Sequence, residues 1–164
     1  MPICSVLELG AGLFSTPTFL NRRVFPKLER IVSVEDDPNW AAKVQQANGD
    51  NRLTVIKNLP AIDSKFDLLF VDNSQSEFVR KDTIRKVVQE SEGSIVVVHD
   101  AEYQEYWSEV VHFEKFLRIE TYEKWTAIGH NRGRFKIPDI SGIITSHLDL
   151  APTDIDGWLK VFNS

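Results

Sequence analysis

Short apolar runs rich in β-branched residues alternate along the chain with segments of helical spacing. The runs are apolar on both faces, which is typical of strands buried in a parallel sheet. The predicted strands are Ile3–Leu9, Ile31–Val34, Leu53–Ile56, Phe66–Val71 and Ser94–Val98. The predicted helices are Thr16–Phe25, Pro38–Ala47, Ser76–Gln89 and Ala101–Val111. This alternation predicts an α/β fold with a doubly wound, mostly parallel sheet.

The region after the fifth predicted strand departs from this alternation. Phe116–Tyr122 and Trp125–Gly129 are two strand-like runs joined at Glu123-Lys124. Two such runs separated by a short polar link are typical of a β-hairpin. We therefore expect an antiparallel terminal hairpin at one edge of the parallel sheet.

The last part of the chain is expected to form an extension. We place the main domain at residues 1–130 and the extension at 131–164. The extension contains a weak apolar run, Ile140–Ile144, and a short helix predicted over Asp154–Phe162. We expect it to pack on the same domain or on a partner, which allows a homo-oligomer.

A Gly-x-Gly turn joins the first predicted strand to the first predicted helix, in the run Glu8-Leu9-Gly10-Ala11-Gly12. Gly10 permits a backbone conformation that a side chain would forbid, and Gly12 lets the backbone approach a ligand. Ser15 or Thr16 can cap the helix, whose first N–H groups are free to bind polar groups. Ligands in open α/β sheets bind at this end of the strands, so the turn is a candidate cofactor site, and a plain tight turn is the alternative.

Two departures from the dinucleotide-binding fingerprint distinguish between cofactor classes. That fingerprint is Gly-x-Gly-x-x-Gly, but Ser15 stands at its third glycine and Glu8 precedes its first. A carboxylate repels a pyrophosphate and suits a cationic amine. The pattern therefore disfavours NAD and favours a cofactor with an amino-acid end, whose ammonium meets the Glu8 region directly or through water.

An acidic run, Glu35-Asp36-Asp37, ends the second predicted strand. It lies about 20 residues past the glycines, where a ribose-binding carboxylate is expected. Glu35 is the better ribose candidate, because it is the last residue in register with the strand. The alternative is that these acids cap the helix beginning at Pro38, a role that we assign to Asp37.

These features together resemble the class I S-adenosylmethionine-dependent methyltransferases. The resemblance covers roughly Ile3 to His130 and also includes Asp72 after the fourth strand and the terminal hairpin. It implies a Rossmann-like, seven-stranded sheet in the order 3-2-1-4-5-7-6, with strand seven antiparallel. It implies S-adenosylmethionine as cofactor, with Glu35 on the ribose.

The resemblance also implies a set of cofactor-binding residues. Many family members have an acid near the adenine after the third strand, whereas here Asn58 is the nearest polar candidate. The implied set is Glu8, Gly10, Gly12, Ser15, Glu35, Asp36, Asn58 and Asp72.

Polar residues after the fourth and fifth predicted strands face the acceptor side of this cofactor. Methyl transfer needs an aligned and deprotonated acceptor. We expect Asp72, His99 and Asp100 to be catalytic, with His99 as the base because its reference pKa is near neutral. The alternatives are a helix cap for Asp100, a loop-orienting role for Asp72 and a structural histidine. One Mg²⁺ on Asp72, Asp100 and Asn73 is allowed by the residue types but is not favoured.

The sequence therefore predicts an S-adenosylmethionine-dependent methyltransferase that acts on a small molecule, with oxygen favoured as the acceptor atom. The first alternative keeps the fold without the chemistry, as a binding or scaffold protein. The second alternative is an NAD-dependent oxidoreductase.

Composition and net charge limit the classes of partner that we expect for the chain. The chain has 164 residues and a net charge of −5, which disfavours a nucleic-acid partner because such proteins present a basic face. No stretch approaches the ~20 apolar residues that span a bilayer. The beginning of the chain lacks the pattern of a signal peptide, so we expect a cytoplasmic protein without membrane partners.

Overall fold

The computed structural model describes residues 2–62, 66–73, 77–121, 124–131 and 159–161. Its strands are β1 (Ser5–Leu9), β2 (Arg30–Val34), β3 (Leu53–Ile56), β4 (Leu68–Val71), β5 (Ile95–Val98), β6 (Lys115–Thr121), β7 (Lys124–His130) and β8 (Leu159–Val161). Its helices are α1 (Ser15–Leu20), α2 (Pro38–Asn48), α3 (Glu77–Glu90) and α4 (Gln104–Val110). None of these helices is long and apolar enough to cross a membrane.

All eight strands belong to one sheet, in the order β3-β2-β1-β4-β5-β7-β6-β8. The first five strands are parallel to one another, whereas β7 is antiparallel to both β5 and β6. The predicted order of seven strands and the antiparallel terminal hairpin are therefore confirmed. The eighth strand adds a further edge beside β6.

The helix predicted over Asp154–Phe162 is wrong at Leu159–Val161, which form β8 and pair antiparallel with Leu117–Ile119. The three residues alternate apolar, polar and apolar, which is the period of a strand. The remainder of that predicted helix and the run Ile140–Ile144 lie outside the described residues. The division of the chain at residue 130 stays a prediction.

The helix α1 ends earlier than its apolar pattern predicts, at Leu20 instead of Phe25. Asn21 follows it with an extended backbone, and its side-chain oxygen accepts a hydrogen bond from the backbone N–H of Arg23 at 2.9 Å. Asparagine side chains compete for backbone groups in this way and so end helices. The apolar residues that follow Leu20 therefore pack against the core from a loop and not from a helix.

The core forms two layers, one on each face of the sheet. Successive residues of a strand point to opposite faces. In β1, Leu7 and Leu9 join a cluster with Ile84 of α3, and Val6 joins the opposite cluster with Phe19 of α1. Burial on both faces explains why the strands have continuous apolar sequences.

Candidate functional site

The residues that follow four of the parallel strands lie together at the carboxyl edge of the sheet. Each of them donates its backbone N–H to a carbonyl of the neighbouring strand. These pairs are Gly10 to Val34 (3.0 Å), Glu35 to Ile56 (2.8 Å), Asp72 to Leu9 (2.8 Å) and His99 to Val71 (3.0 Å). The strand order reverses between β1 and β4, where open α/β sheets bind their ligands.

A cavity of about 920 Å³ lies over this edge. Pockets for small molecules measure roughly 300–1,000 Å³, so the cavity can hold a large cofactor or a cofactor with part of an acceptor. One wall is the glycine turn from Gly10 to Ser15, and another is the acidic run from Glu35 to Asp37. The remaining wall carries Trp40, Phe70, Asp72, Arg80, His99 and Asp100.

The glycine turn packs directly against the residues after β4. Gly10 has a φ of +93°, and a Cβ there would lie 2.4 Å from the backbone oxygen of Asp72. A Cβ on Gly12 would lie 2.4 Å from Oγ of Ser15. Glycine is therefore required at Gly10, where the contact is with rigid backbone, whereas at Gly12 the contact is with a side-chain hydroxyl that can rotate away.

The start of α1 differs from the prediction. The helix begins at Ser15 after Phe14, and no side chain caps it, so neither Ser15 nor Thr16 is the cap. The Thr16 hydroxyl instead accepts a hydrogen bond from the backbone N–H of Gly12 at 3.2 Å. Thr16 thus ties the turn to the helix that follows it.

Glu8 lies beneath the turn and does not line the cavity. Its side chain is fully buried and accepts hydrogen bonds from the hydroxyls of Thr16 (2.7 Å) and Ser33. Burial raises the pKa of this carboxyl above its ordinary value, although the hydroxyls, including that of Ser15, oppose the shift. The predicted direct contact of Glu8 with a cofactor ammonium is therefore not the arrangement seen. Glu8 links the turn, α1 and β2 from below.

The acidic run contains the predicted helix cap, Asp37, whereas the ribose-binding role of Glu35 stays a prediction. Asp37 caps α2 by accepting from the backbone N–H groups of Asn39 (2.8 Å) and Trp40 (3.4 Å). Glu35 lines the cavity, and partial burial raises the pKa of its carboxyl. Asp36 also lines the cavity and is exposed. The run therefore presents two carboxylates besides the helix cap.

Trp40 joins α2 to the glycine turn. Its indole Nε1 donates to the backbone oxygen of Ala11 at 2.7 Å, and its ring lines the cavity. The Lys43 ammonium lies 4.7 Å from the ring centroid, so a cation–π contact holds the other face. The indole therefore serves as a fixed aromatic wall.

A second cavity of about 240 Å³ adjoins the first, beside Glu35 and Asp36. Its other walls include Val34, Lys57 and Leu59. Asn58, the predicted adenine-side residue, is exposed, and among the described residues it lines neither cavity. The adenine-side role of this loop stays a prediction, and the residues of the loop that line the second cavity are Lys57 and Leu59, the two neighbours of Asn58.

The three predicted catalytic side chains meet in space. His99 Nδ1 lies 3.1 Å from an Asp100 carboxylate oxygen and 3.5 Å from one of Asp72. The imidazole is 40% exposed and lines the cavity. The Asp72 carboxylate, and after it that of Asp100, raises the pKa of His99 above its ordinary value of 6.5, although burial opposes the shift.

Arg80 is the residue that the sequence analysis missed. It lies on α3, is 5% exposed and forms ion pairs with Asp72 (3.1 Å) and Asp100 (3.2 Å). The sequence does indicate this residue, because Arg80 precedes the buried Ile84 and Val87 by four and seven residues and so lies on the same face of the helix. A charged residue on the apolar face of a helix indicates a buried charge partner.

The loop after β5 is held in an unusual conformation. Asp100 has a φ of +56°, a region that non-glycine residues rarely adopt. Ala101 donates its N–H to the Trp125 oxygen (2.8 Å), and Glu102 accepts from the Trp125 N–H (3.0 Å). The helix α4 begins after Tyr103, so Asp100 is not its cap. The strain at Asp100 is thus balanced by contacts with β7 and Arg80.

The aromatic residues of α4 support this site from behind. Tyr106 is buried, and its ring centroid lies 5.4 Å from the Arg80 guanidinium carbon. Trp107 packs edge-on against Phe116 and Trp125. Both residues belong to the core on this face of the sheet, and they stabilise the charged cluster indirectly.

The ligand atoms of Asp72, His99 and Asp100 lie within 4.8 Å of one another, a spacing that could hold a metal ion. The Arg80 guanidinium, however, already bridges the two carboxylates. A divalent ion bound there would have to displace that buried cation or approach it closely. The donor set therefore fits a metal poorly.

The sequence matches no protein-family model and no curated protein. Solved structures are similar in fold. A Podospora anserina methyltransferase bound to SAH (S-adenosylhomocysteine) is 15% identical, with a TM-score of 0.59 over 79% of this chain and 72% of that one. An O-methyltransferase from Bacillus cereus, also in complex with SAH, is 13% identical, with a TM-score of 0.55 over 77% and 74%.

Spermidine synthase from Thermotoga maritima is also similar, at 13% identity and a TM-score of 0.59 over 94% of this chain and 68% of that one. At such low identity these likenesses show the fold. The chain has the Rossmann-like fold of class I methyltransferases.

Gly10→Ala should destabilise the fold by more than about 3 kcal/mol, because it combines a positive φ with an overlap against rigid backbone. Gly49→Ala is the matched control, since Gly49 also has a positive φ (+55°) but an added Cβ would meet nothing within 4 Å. The Gly49→Ala substitution should lower the free energy of unfolding by about 1–2 kcal/mol. Urea denaturation measures the free energy of unfolding of both variants. Equal losses of stability in the two variants would contradict the role given to the contact between Gly10 and Asp72.

Glu8→Gln should change how stability depends on pH. The folded-state pKa of Glu8 is raised, so its contribution is most favourable below its ordinary pKa of 4.5 and is lost as pH rises through the folded value. The free energy of unfolding of Glu8→Gln minus that of the wild type should therefore increase from about pH 4.5 towards neutral pH. Glu29→Gln, which changes an exposed glutamate, is the matched control. A difference that is independent of pH would refute the buried-carboxylate account.

Proposed function

We propose that the protein is an S-adenosylmethionine-dependent methyltransferase that methylates a small molecule, with oxygen as the acceptor atom. The observation that carries the proposal is one cavity bordered by the glycine turn, by Glu35 and by the His99 cluster. In this proposal the glycine turn and Glu35 bind the cofactor, and the His99 cluster accepts a proton. The cofactor would supply an electrophilic methyl group on a sulfonium.

The cofactor half of the cavity fits an adenosine carrying an amino-acid end. The turn borders the cavity with backbone at Gly10 and Gly12, where an added Cβ would collide with neighbouring atoms. Glu35 and Asp36 offer carboxylates that accept hydrogen bonds from ribose hydroxyls. Glu8 would act from below, by holding the turn in place. Asp72 would face the cofactor from β4.

The acceptor half of the cavity provides a base. His99 Nδ1 lies against two carboxylates, which stabilise a proton on that nitrogen and leave Nε2 to accept a proton from the acceptor. A raised pKa makes the imidazole a stronger base, although more of it is protonated at neutral pH. Asp72 and Asp100 orient the ring.

The similar structures support this acceptor class through their names. The Bacillus cereus protein is an O-methyltransferase, and spermidine synthase is named for a polyamine product. The first name specifies an oxygen acceptor, and the second specifies a small molecule. Oxygen is preferred here because His99 can activate a hydroxyl, and an amine remains the next candidate. A cytoplasmic location stays a prediction.

S-adenosylmethionine and S-adenosylhomocysteine should bind at micromolar concentrations in calorimetry, and NAD should not bind. Glu35→Ala should weaken both cofactors by about tenfold to a hundredfold, the effect of losing hydrogen bonds to a charged group. Glu29→Ala is the matched control, because Glu29 precedes the same strand that Glu35 follows. Absence of cofactor binding would refute the proposal. Binding without turnover on phenols, aliphatic alcohols and amines would favour the non-catalytic alternative.

His99 should titrate above 6.5 in NMR, in the signal that His99→Asn removes. Asp72→Asn should lower that pKa, because the Asp72 carboxylate is the largest cause of the shift. With an acceptor found by screening, the rate should fall as pH drops through this pKa, since the protonated ring cannot accept a proton. His99→Asn should reduce kcat by at least about a hundredfold.

The matched control for this experiment is His112→Asn, a substitution of an exposed histidine just beyond α4. It should leave both the titration and the rate unchanged. A His99 signal that titrates at or below 6.5 would contradict the arrangement described for its two carboxylates.

A further inference from the structure

Arg80 has a set of contacts that surrounds its whole guanidinium. Its Nε donates to the backbone oxygen of Asn73 at 2.6 Å, and its two terminal nitrogens reach Asp72 and Asp100. The ring of Tyr106 packs against the group at 5.4 Å. A planar guanidinium held in three directions is fixed more firmly than a single point charge would be.

The position of this cation matters because of the groups around it. Asp72 and Asp100 come from the ends of two adjacent strands and both approach His99 Nδ1. Two carboxylates that share a site repel each other unless a cation neutralises them. Arg80 supplies that charge from α3, so it connects the loops after β4 and β5 to a helix outside the sheet.

A divalent metal ion would satisfy the same two carboxylates, and with His99 they lie close enough to bind one. In the wild-type protein the guanidinium occupies the space between them. Expelling it would leave a nearly fully buried positive charge without its acidic partners, which is strongly unfavourable. Arginine and metal ion are therefore mutually exclusive at this position.

We propose that Arg80 is the resident cation of the acceptor end and stands where a divalent metal ion would otherwise bind. It is a positioning residue: it holds Asp72 and Asp100 in place beside His99 and makes the chemistry of the site independent of metal. The role in catalysis rests on the proposed methyltransferase function, whereas the exclusion of metal does not.

The first test measures Mn²⁺ binding by calorimetry and electron paramagnetic resonance, without cofactor or acceptor. Arg80→Met removes the charge and keeps much of the stem, so it should bind Mn²⁺ at least tenfold more tightly than the wild type. Adding Asp100→Asn to that variant should abolish the gain. Arg85→Met is the matched control, since Arg85 lies on the same helix, is 47% exposed and pairs with Glu109 and Asp82. It should bind Mn²⁺ no better than the wild type.

The wild-type protein provides a second test. It should show no Mn²⁺ binding that depends on Asp72 or Asp100, and a chelator should leave methyl transfer unchanged. Arg80→Met should lower kcat more than it raises the KM for the acceptor. Arg80→Lys should recover part of the rate, because lysine restores the positive charge but not the planar guanidinium that reaches both carboxylates. These activity measurements apply once an acceptor is known.

Two results would overturn the proposal. One is wild-type Mn²⁺ affinity equal to that of Arg80→Met, which would mean that the guanidinium does not exclude metal. The other is loss of methyl transfer on chelation. If Arg80→Met fails to fold, Arg80→Lys and the wild-type measurement carry the test. Failure of the methyltransferase proposal would be seen in cofactor binding and leaves the Mn²⁺ result intact.

Discussion

The close packing of Gly10 against the backbone of Asp72 is the constraint on which the site depends. It brings the turn after β1 to the end of β4, where the strand order of the sheet reverses and a cavity opens. The N–H of Asp72 donates to Leu9, so the two strands remain paired up to this contact. Any side chain at Gly10 would separate them. The contact therefore determines the relative position of the cofactor half and the acceptor half of the cavity.

Charge is the second organising factor. The cavity is lined by several carboxylates, and the two nearest His99 are neutralised by a cation that reaches them from α3. Beneath the turn, the Glu8 carboxyl accepts hydrogen bonds from hydroxyl groups, and burial raises its pKa. Carboxylates are thus held by hydroxyl groups beneath the turn and by a cation beside His99. The difference lies in burial and in the available partners.

Local patterns were sufficient to predict much of the molecule. Continuous apolar runs predicted the buried strands, because strands covered on both faces must be apolar throughout. The Gly-x-Gly turn and the acid after the second strand could be placed at one end of the sheet from the sequence, since both depend on short-range geometry. Local patterns failed at Asn21, where a side-chain hydrogen bond ends α1, and at Leu159–Val161, where pairing with β6 determines a strand.

The sequence by itself determined the α/β class, the strand order implied by family resemblance, and the convergence of Asp72, His99 and Asp100 at one edge. Only the tertiary structure decided that Arg80 neutralises two of them and that Glu8 is buried below the cavity. The reason is physical. A strand end is defined by neighbours in the chain, whereas a buried ion pair between a helix and two loops is defined by distances that no local pattern encodes.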